Sequence, residues 1–124
     1  MNKLLIIDDD EDNSAMLFLL LRSNNFEVAV VTRSEDIFQT IKSFQPDIIL
    51  LDVFLTGYDG RIICKQLKFH PESRHIPVIM VSGDDEVLQT VEKYGANDFI
   101  KKPFETGVLL SKINSLINLN VKSA

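Results

Sequence analysis

Cysteine is almost absent from this chain, long apolar runs are missing, and basic residues never gather. The lone thiol, Cys64, has no partner for an intramolecular disulfide, which makes a reducing compartment the expectation. Cys64 itself reads as a small core hydrophobe. The longest apolar run, Ala15 to Leu21, is far shorter than the roughly 20 residues a membrane helix needs. The first residues lack the positive segment, apolar stretch and cleavage site of a secretory signal, so the cytoplasm is the expected location and no membrane partner is expected. With 13 Lys and Arg against 18 Asp and Glu, the net charge is −5. Phosphate backbones are bound through an excess of basic side chains, so direct nucleic-acid binding is not expected. Glycine and proline are scarce as well, and a disordered tail or fibrous repeat is excluded.

What is present fits one soluble domain, expected to span residues 1–124 with a single core and no output domain in this chain. Residues 3–7, 27–31, 47–51, 76–81 and 97–100 are continuous apolar runs, as strands covered on both faces require. Helical spacing marks 13–23, 34–44, 60–69, 85–94 and 105–119 between and after them. Regular alternation predicts an α/β fold, a doubly wound five-stranded parallel sheet with helices on both faces. Thr32 and Glu35 fit a capping box for the second helix, with Ser34 competing as N-cap. Pro46 stops that helix, and Gly107 weakens the first turn of the last one.

Charged groups stand where the strands end. Leu4 to Ile7 opens onto Asp8, Asp9 and Asp10; Ile48 to Leu51 ends at Asp52; Phe99 and Ile100 lead into Lys101, Lys102 and Pro103. Ligands of doubly wound sheets gather outside these carboxyl ends. A carboxylate carried by a strand end is aimed by the sheet, which suits Asp52 to a nucleophile's role, although an Asx turn or helix cap would also explain it. Like charges ~4 Å apart repel by about 4 kcal/mol at an effective dielectric near 20, so the acidic run favours a bound cation, Mg²⁺ or Mn²⁺ for an all-oxygen ligand set. Glu11 and Asp12 are better read as acids complementing a helix N-terminus. An EF-hand is excluded, because Asn13 stands at the required glycine and Leu19 at the closing glutamate. Lys102 can offset the charge of Asp52, while Lys101 should point away to solvent. Ser82 supplies a hydroxyl at the end of the fourth strand, or a helix cap. His70 and His75 read as exposed loop residues without a role. The first helix is apolar over more than one stripe, through Leu17, Phe18 and Leu21, and fits either a buried helix or a partner-binding face.

Four segments together resemble the receiver domain of two-component response regulators: Leu5 to Asp10, Leu51 to Gly60, Ile79 to Gly83 and Gly95 to Phe104. The resemblance runs nearly end to end and implies a flavodoxin-like (βα)5 fold. It implies that Asp52 accepts a phosphoryl group from a phosphohistidine on a sensor histidine kinase or a histidine phosphotransfer protein. Asp9, Asp52 and the backbone carbonyl of Phe54 would bind Mg²⁺ directly, and Asp8 through a water. Lys102 and Ser82 would hold phosphoryl oxygens. Ser82 and Phe99 would form a switch altering the face made by the fourth helix, fifth strand and fifth helix. The family's Lys102-Pro103 bond is cis. Thr56 stands where the family usually has proline, Ser82 replaces the commoner threonine, and a slightly short stretch from Ser82 to Lys102 implies a short or late fourth helix. Phe54 and Asp84 occupy positions that tune acyl-phosphate lifetime.

The implied function is a phosphorylation-dependent signalling switch that assists its own chemistry and has no metabolite substrate. A pseudo-receiver binding module is one alternative, although Asp8, Asp9, Asp52, Ser82 and Lys102 are all present. An aspartyl-phosphate phosphatase of the haloacid dehalogenase type is another, but it needs an acid where Phe54 stands. Starting from Asp8 instead supplies Asp10 but leaves too little chain for that fold and its cap.

Overall fold

A computed structural model of the chain describes residues 2–123, with side chains described through Asn118. Five strands, β1 (Asn2–Ile7), β2 (Phe26–Val31), β3 (Ile48–Asp52), β6 (Val78–Ser82) and β7 (Asp98–Lys101), form one parallel sheet in the order β2-β1-β3-β6-β7. The direction of winding reverses between β1 and β3. A two-stranded antiparallel hairpin, β4 (Phe54–Leu55) and β5 (Tyr58–Asp59), follows β3 directly.

Each strand divides its side chains between two cores, as the two-residue period of a covered strand requires. Leu5, Ile7, Ile49, Leu51, Val78 and Met80 pack on one face against α2 (Ile37–Phe44) and α3 (Gly60–Phe69). Leu4, Ile6, Ile48, Leu50, Ile79 and Val81 pack on the other against α1 (Glu11–Arg22) and α5 (Thr106–Ser123). Ile37 and Ile41 carry the stripe of α2, and Leu109, Ile113 and Ile117 that of α5. Cys64 is buried in the first core, and desolvation pushes its thiol up to about 11, so it is inert packing.

The principal strand difference from expectation has a chemical consequence. Asp52, Ser82 and Lys101 are the last residues of their strands rather than the first residues beyond them. The ladder continues through them: Val53 N donates to Val81 O at 3.0 Å and Lys102 N to Ser82 O at 2.9 Å. Backbone hydrogen bonding therefore fixes the polar residues as firmly as the apolar ones.

Two helices differ more. The capping box expected from Thr32 and Glu35 does not form, nor does Ser34 act as N-cap; Arg33 occupies the cap without a side-chain bond, and Glu35 pairs with Arg33. Residues Ser34–Asp36 wind as a 3₁₀ turn, and α2 begins only at Ile37, the first residue that can reach the core. It ends at Phe44 because Gln45 adopts φ 52°, the left-handed region, just before Pro46. The fourth helix is short: α4 covers Asp85–Leu88, and a 3₁₀ turn from Val91 to Tyr94 completes the expected 85–94 span. The Lys102-Pro103 bond is cis.

Gly60 opens α3 where only glycine fits, since a Cβ there would lie 2.1 Å from the carbonyl oxygen of Asp52. Replacing Gly60 with alanine is expected to destabilise the fold by about 1–3 kcal/mol or more, because backbone must move to make room. Urea unfolding checks this, and an unchanged midpoint would contradict the packing.

Candidate functional site

The register of β1 and β3 sets the site. Ile7 stands opposite Leu51, so Asp8 and Asp52 leave adjacent strands side by side. Asp8 is 3% exposed, and both of its oxygens are held: Oδ1 accepts from Asp10 N at 2.9 Å and Oδ2 from Asn13 Nδ2 at 2.7 Å. Asp10 caps α1 by accepting from Asn13 N, and Glu11 and Asp12 occupy its first turn, where they complement the helix dipole. Asp52 Oδ1 accepts from Phe54 N at 3.2 Å, the Asx turn foreseen from sequence, while Oδ2 accepts from Lys102 Nζ at 3.1 Å.

Lys102 reaches across from the segment beyond β7, and its ammonium lies 3.9 Å from Asp8 Oδ2 as well. One cation thus faces two carboxylates. Burial pushes the Asp52 carboxyl above its ordinary range, and the Lys102 charge and hydrogen bond only partly oppose this. Lys101 points the other way and pairs with Asp85 on the surface at 2.9 Å.

Ser82 lies on the neighbouring strand, where Asp52 pairs with Val81, and is 1% exposed. Its Oγ accepts from Asp84 N at 3.1 Å. The cap of α4 is Asp84, which accepts from Glu86 N and Val87 N, so Ser82 is not needed for that task. Phe99 is 44% exposed, with the Lys112 ammonium 5.7 Å from its ring centre.

Asp9 is placed differently. Its Oδ2 accepts a hydrogen bond from Thr56 N, in the turn between β4 and β5, and the Thr56 hydroxyl together with this amide holds the carboxyl below its ordinary range. The donor set of Asp8, Asp9, Asp52 and the Phe54 carbonyl is all oxygen and suits a hard divalent cation. Among the described residues, however, no three acidic, His or Cys side chains converge as a ready cation cage. Asp9 is the member held by the Thr56 turn.

A matching protein-family model, the response regulator receiver domain, covers residues 4–114. The chain belongs to this family. Response regulator PleD of Caulobacter vibrioides is 43% identical over 74 residues, covering 57% of this chain and 16% of PleD. A structure assigned to a response regulator of Chloroflexus aurantiacus J-10-fl has a TM-score of 0.88 and 34% identity, covering 94% of this chain and 98% of that one. The BeF3-activated N-terminal receiver domain of Klebsiella pneumoniae RstA has a TM-score of 0.83 and 25% identity, covering 94% of this chain and 98% of that one. This receiver domain spans less than half the length of the curated relatives it matches. The flavodoxin-like order of its sheet is that of the family, and two-component signalling is its setting. Receiver domains are signalling modules rather than metabolic enzymes. No helix among the described residues is long and apolar enough to cross a membrane.

Sequence reasoning missed three contacts. Asn13, read from sequence only as the residue that rules out an EF-hand, holds Asp8 through its side-chain amide from five residues on. The Asp9 to Thr56 bond joins residues 47 apart, and nothing in the pattern signals it. Arg61 chelates Asp59, donates to Thr90 Oγ1 at 2.9 Å and stacks 5.5 Å from the Tyr94 ring, tying α3 to the segment after α4. His70 and His75 are exposed, as expected, with His70 edge-on to Phe38 and Phe69. In α1, Leu17 and Leu21 are buried, whereas Met16 and Leu19 are 72% and 68% exposed.

The raised Asp52 carboxyl sets a sign for stability. The folded state holds the Asp52 proton more tightly than the unfolded chain does, so stability from this group is full below the ordinary aspartate range and is lost as pH rises through the raised value. At pH 7 the Asp52 charge is a net burden. Asp52→Asn is therefore expected to melt at a higher temperature than wild type at pH 7, with the gap closing as pH falls below the ordinary aspartate range. Scanning calorimetry across pH reads this, and an Asn variant that melts lower at pH 7 would refute it.

Proposed function

We propose that the domain is a phosphorylation-dependent signalling switch in which Asp52 is the phosphoacceptor. The donor is a phosphohistidine on a sensor histidine kinase or a histidine phosphotransfer protein. The observation that carries the reading is the strand-end pairing of Asp52 with Lys102 beside buried Asp8. A carboxylate oxygen of Asp52 attacks phosphorus as the phosphorus–nitrogen bond of the phosphohistidine breaks. The product is an acyl phosphate on Asp52, and the donor imidazole leaves with the electron pair of the broken bond.

The chain's own groups lower the barrier by position and charge. The Phe54 amide fixes the orientation of Asp52 Oδ1. Lys102 offers a positive charge to incoming phosphoryl oxygens from where it now faces Asp52. Asp9, Asp52 and the Phe54 carbonyl would hold Mg²⁺ or Mn²⁺, with Asp8 acting through water; the bound ion would neutralise charge between the carboxylates and the phosphoryl oxygens.

The switch follows from the same groups. A phosphoryl oxygen competes for the Ser82 hydroxyl, drawing it from the Asp84 amide that opens α4. Phe99, now half outside beside Lys112, turns inward, and the surface of α4, β7 and α5 changes. Exposed Met16 and Leu19 on α1 give the phosphodonor's helices an apolar surface. BeF3 activation of the RstA receiver domain supports this reading, since that ligand occupies a phosphoryl group's role.

Acetyl phosphate with Mg²⁺ is expected to add one phosphoryl group to the wild type, seen by intact mass spectrometry. Asp52→Ala should abolish the addition, and chelation of the metal should reduce it at least tenfold, the scale of a lost charge-stabilising interaction (about 1.4 kcal/mol or more). Unchanged labelling of the Asp52→Ala chain would overturn the assignment.

A further inference from the structure

Asp9 separates from the other carboxylates of the site. Asp8 and Asp52 lie 3.9 and 3.1 Å from the Lys102 ammonium, a grouping that Asp9 does not join. Its Oδ2 instead accepts the amide of Thr56 at 2.5 Å. Thr56 and Gly57 form the two-residue turn of the β4–β5 hairpin, with Gly57 at φ 77°. That hairpin is held by only two residue pairs, Phe54 with Asp59 and Leu55 with Tyr58. The Asp9 contact therefore fastens the turn to the end of β1.

We propose that the Thr56 amide is a latch on Asp9 that competes with the divalent cation and so sets the cation affinity of the site. The inference rests on the reading of Asp9 as a metal residue. A cation that draws the Asp9 carboxylate toward Asp52 competes with the Thr56 amide, and a charge-assisted hydrogen bond is lost in the exchange. The apparent affinity is the intrinsic one reduced by the unlatched fraction. The Thr56 hydroxyl and amide both favour the charged form of Asp9, whose carboxyl lies below its ordinary range. Cation uptake also frees the hairpin turn, which lies two residues beyond the Phe54 carbonyl expected to contact the same ion. Backbone chemistry makes the latch residue-specific: every residue type but proline carries the amide hydrogen it needs.

Isothermal titration calorimetry with Mg²⁺ at neutral pH tests the latch on the wild type, Thr56→Pro and Thr56→Ala. Thr56→Pro removes the amide hydrogen and is expected to bind Mg²⁺ roughly three- to tenfold more tightly, the worth of one hydrogen bond. Thr56→Ala keeps the amide, loses only the hydroxyl, and should bind Mg²⁺ less tightly than Thr56→Pro. Equal affinity in Thr56→Pro overturns the latch, as does an alanine variant that tightens as much as the proline one. A second measurement needs no variant. In ¹H–¹⁵N spectra of the wild type, the Thr56 amide proton should move upfield as Mg²⁺ saturates, in step with the calorimetric curve. An amide that stays in place overturns the latch even if Thr56→Pro does not fold. A wild type that takes up no Mg²⁺ fails differently, because it removes the metal site beneath the latch.

Discussion

Two carboxylates are forced together by a strand register, and the rest of the site answers that constraint. β1 and β3 are neighbours in the sheet, Ile7 and Leu51 are paired, and each chain continues into an aspartate. Neither aspartate can retreat, because the ladder runs through Asp52 and Asp8 is buried. Crowded like charges at a poorly solvated edge need compensation. Asn13 and the Asp10 amide compensate Asp8, Lys102 compensates both, and burial, with the Asp8 charge adding to it, still leaves the carboxyl of Asp52 raised. A buried carboxylate held in place is one whose charge a divalent cation would offset.

The loops carry this condition outward. Gly60 presses against the Asp52 carbonyl and donates its amide to Val53 O, so α3 starts from the same few atoms that hold the acid. One residue on, Arg61 spans from Asp59 to Thr90 and Tyr94. On the other side, Ser82 touches the Asp84 amide that opens α4. The segment around α4 is thus held from two directions, through α3 and through β6. Both holds originate within a residue or two of a strand end, which is why a change of charge there can be felt at a surface.

Legibility of these features in the sequence followed the range of the interaction. Continuous apolar runs gave the strands, because burial on both faces leaves no room for alternation, and the sheet then placed Asp8, Asp52, Ser82 and Lys102 at one edge. Lys101 and Lys102 could be told apart by alternation alone. The start of α2 was hidden because Arg33 paired with Glu35, removing that acid from the capping box its spacing suggested. The brevity of α4 was visible only as a shortened interval. Asp9 was the hardest residue to read: its direction depends on a backbone amide from another loop, and single-sequence pattern carries no trace of a backbone donor.

The parallel sheet also partitions the molecule. Residues of one strand alternate between a core shared with α2 and α3 and a core shared with α1 and α5, and the two meet only across backbone. Substitutions separated by such a wall combine nearly additively. Evolution can therefore rework the α1 side, where Met16 and Leu19 face outward, without retuning the α3 side that seats the acid against Gly60. The same wall lets either core be repacked without disturbing the other.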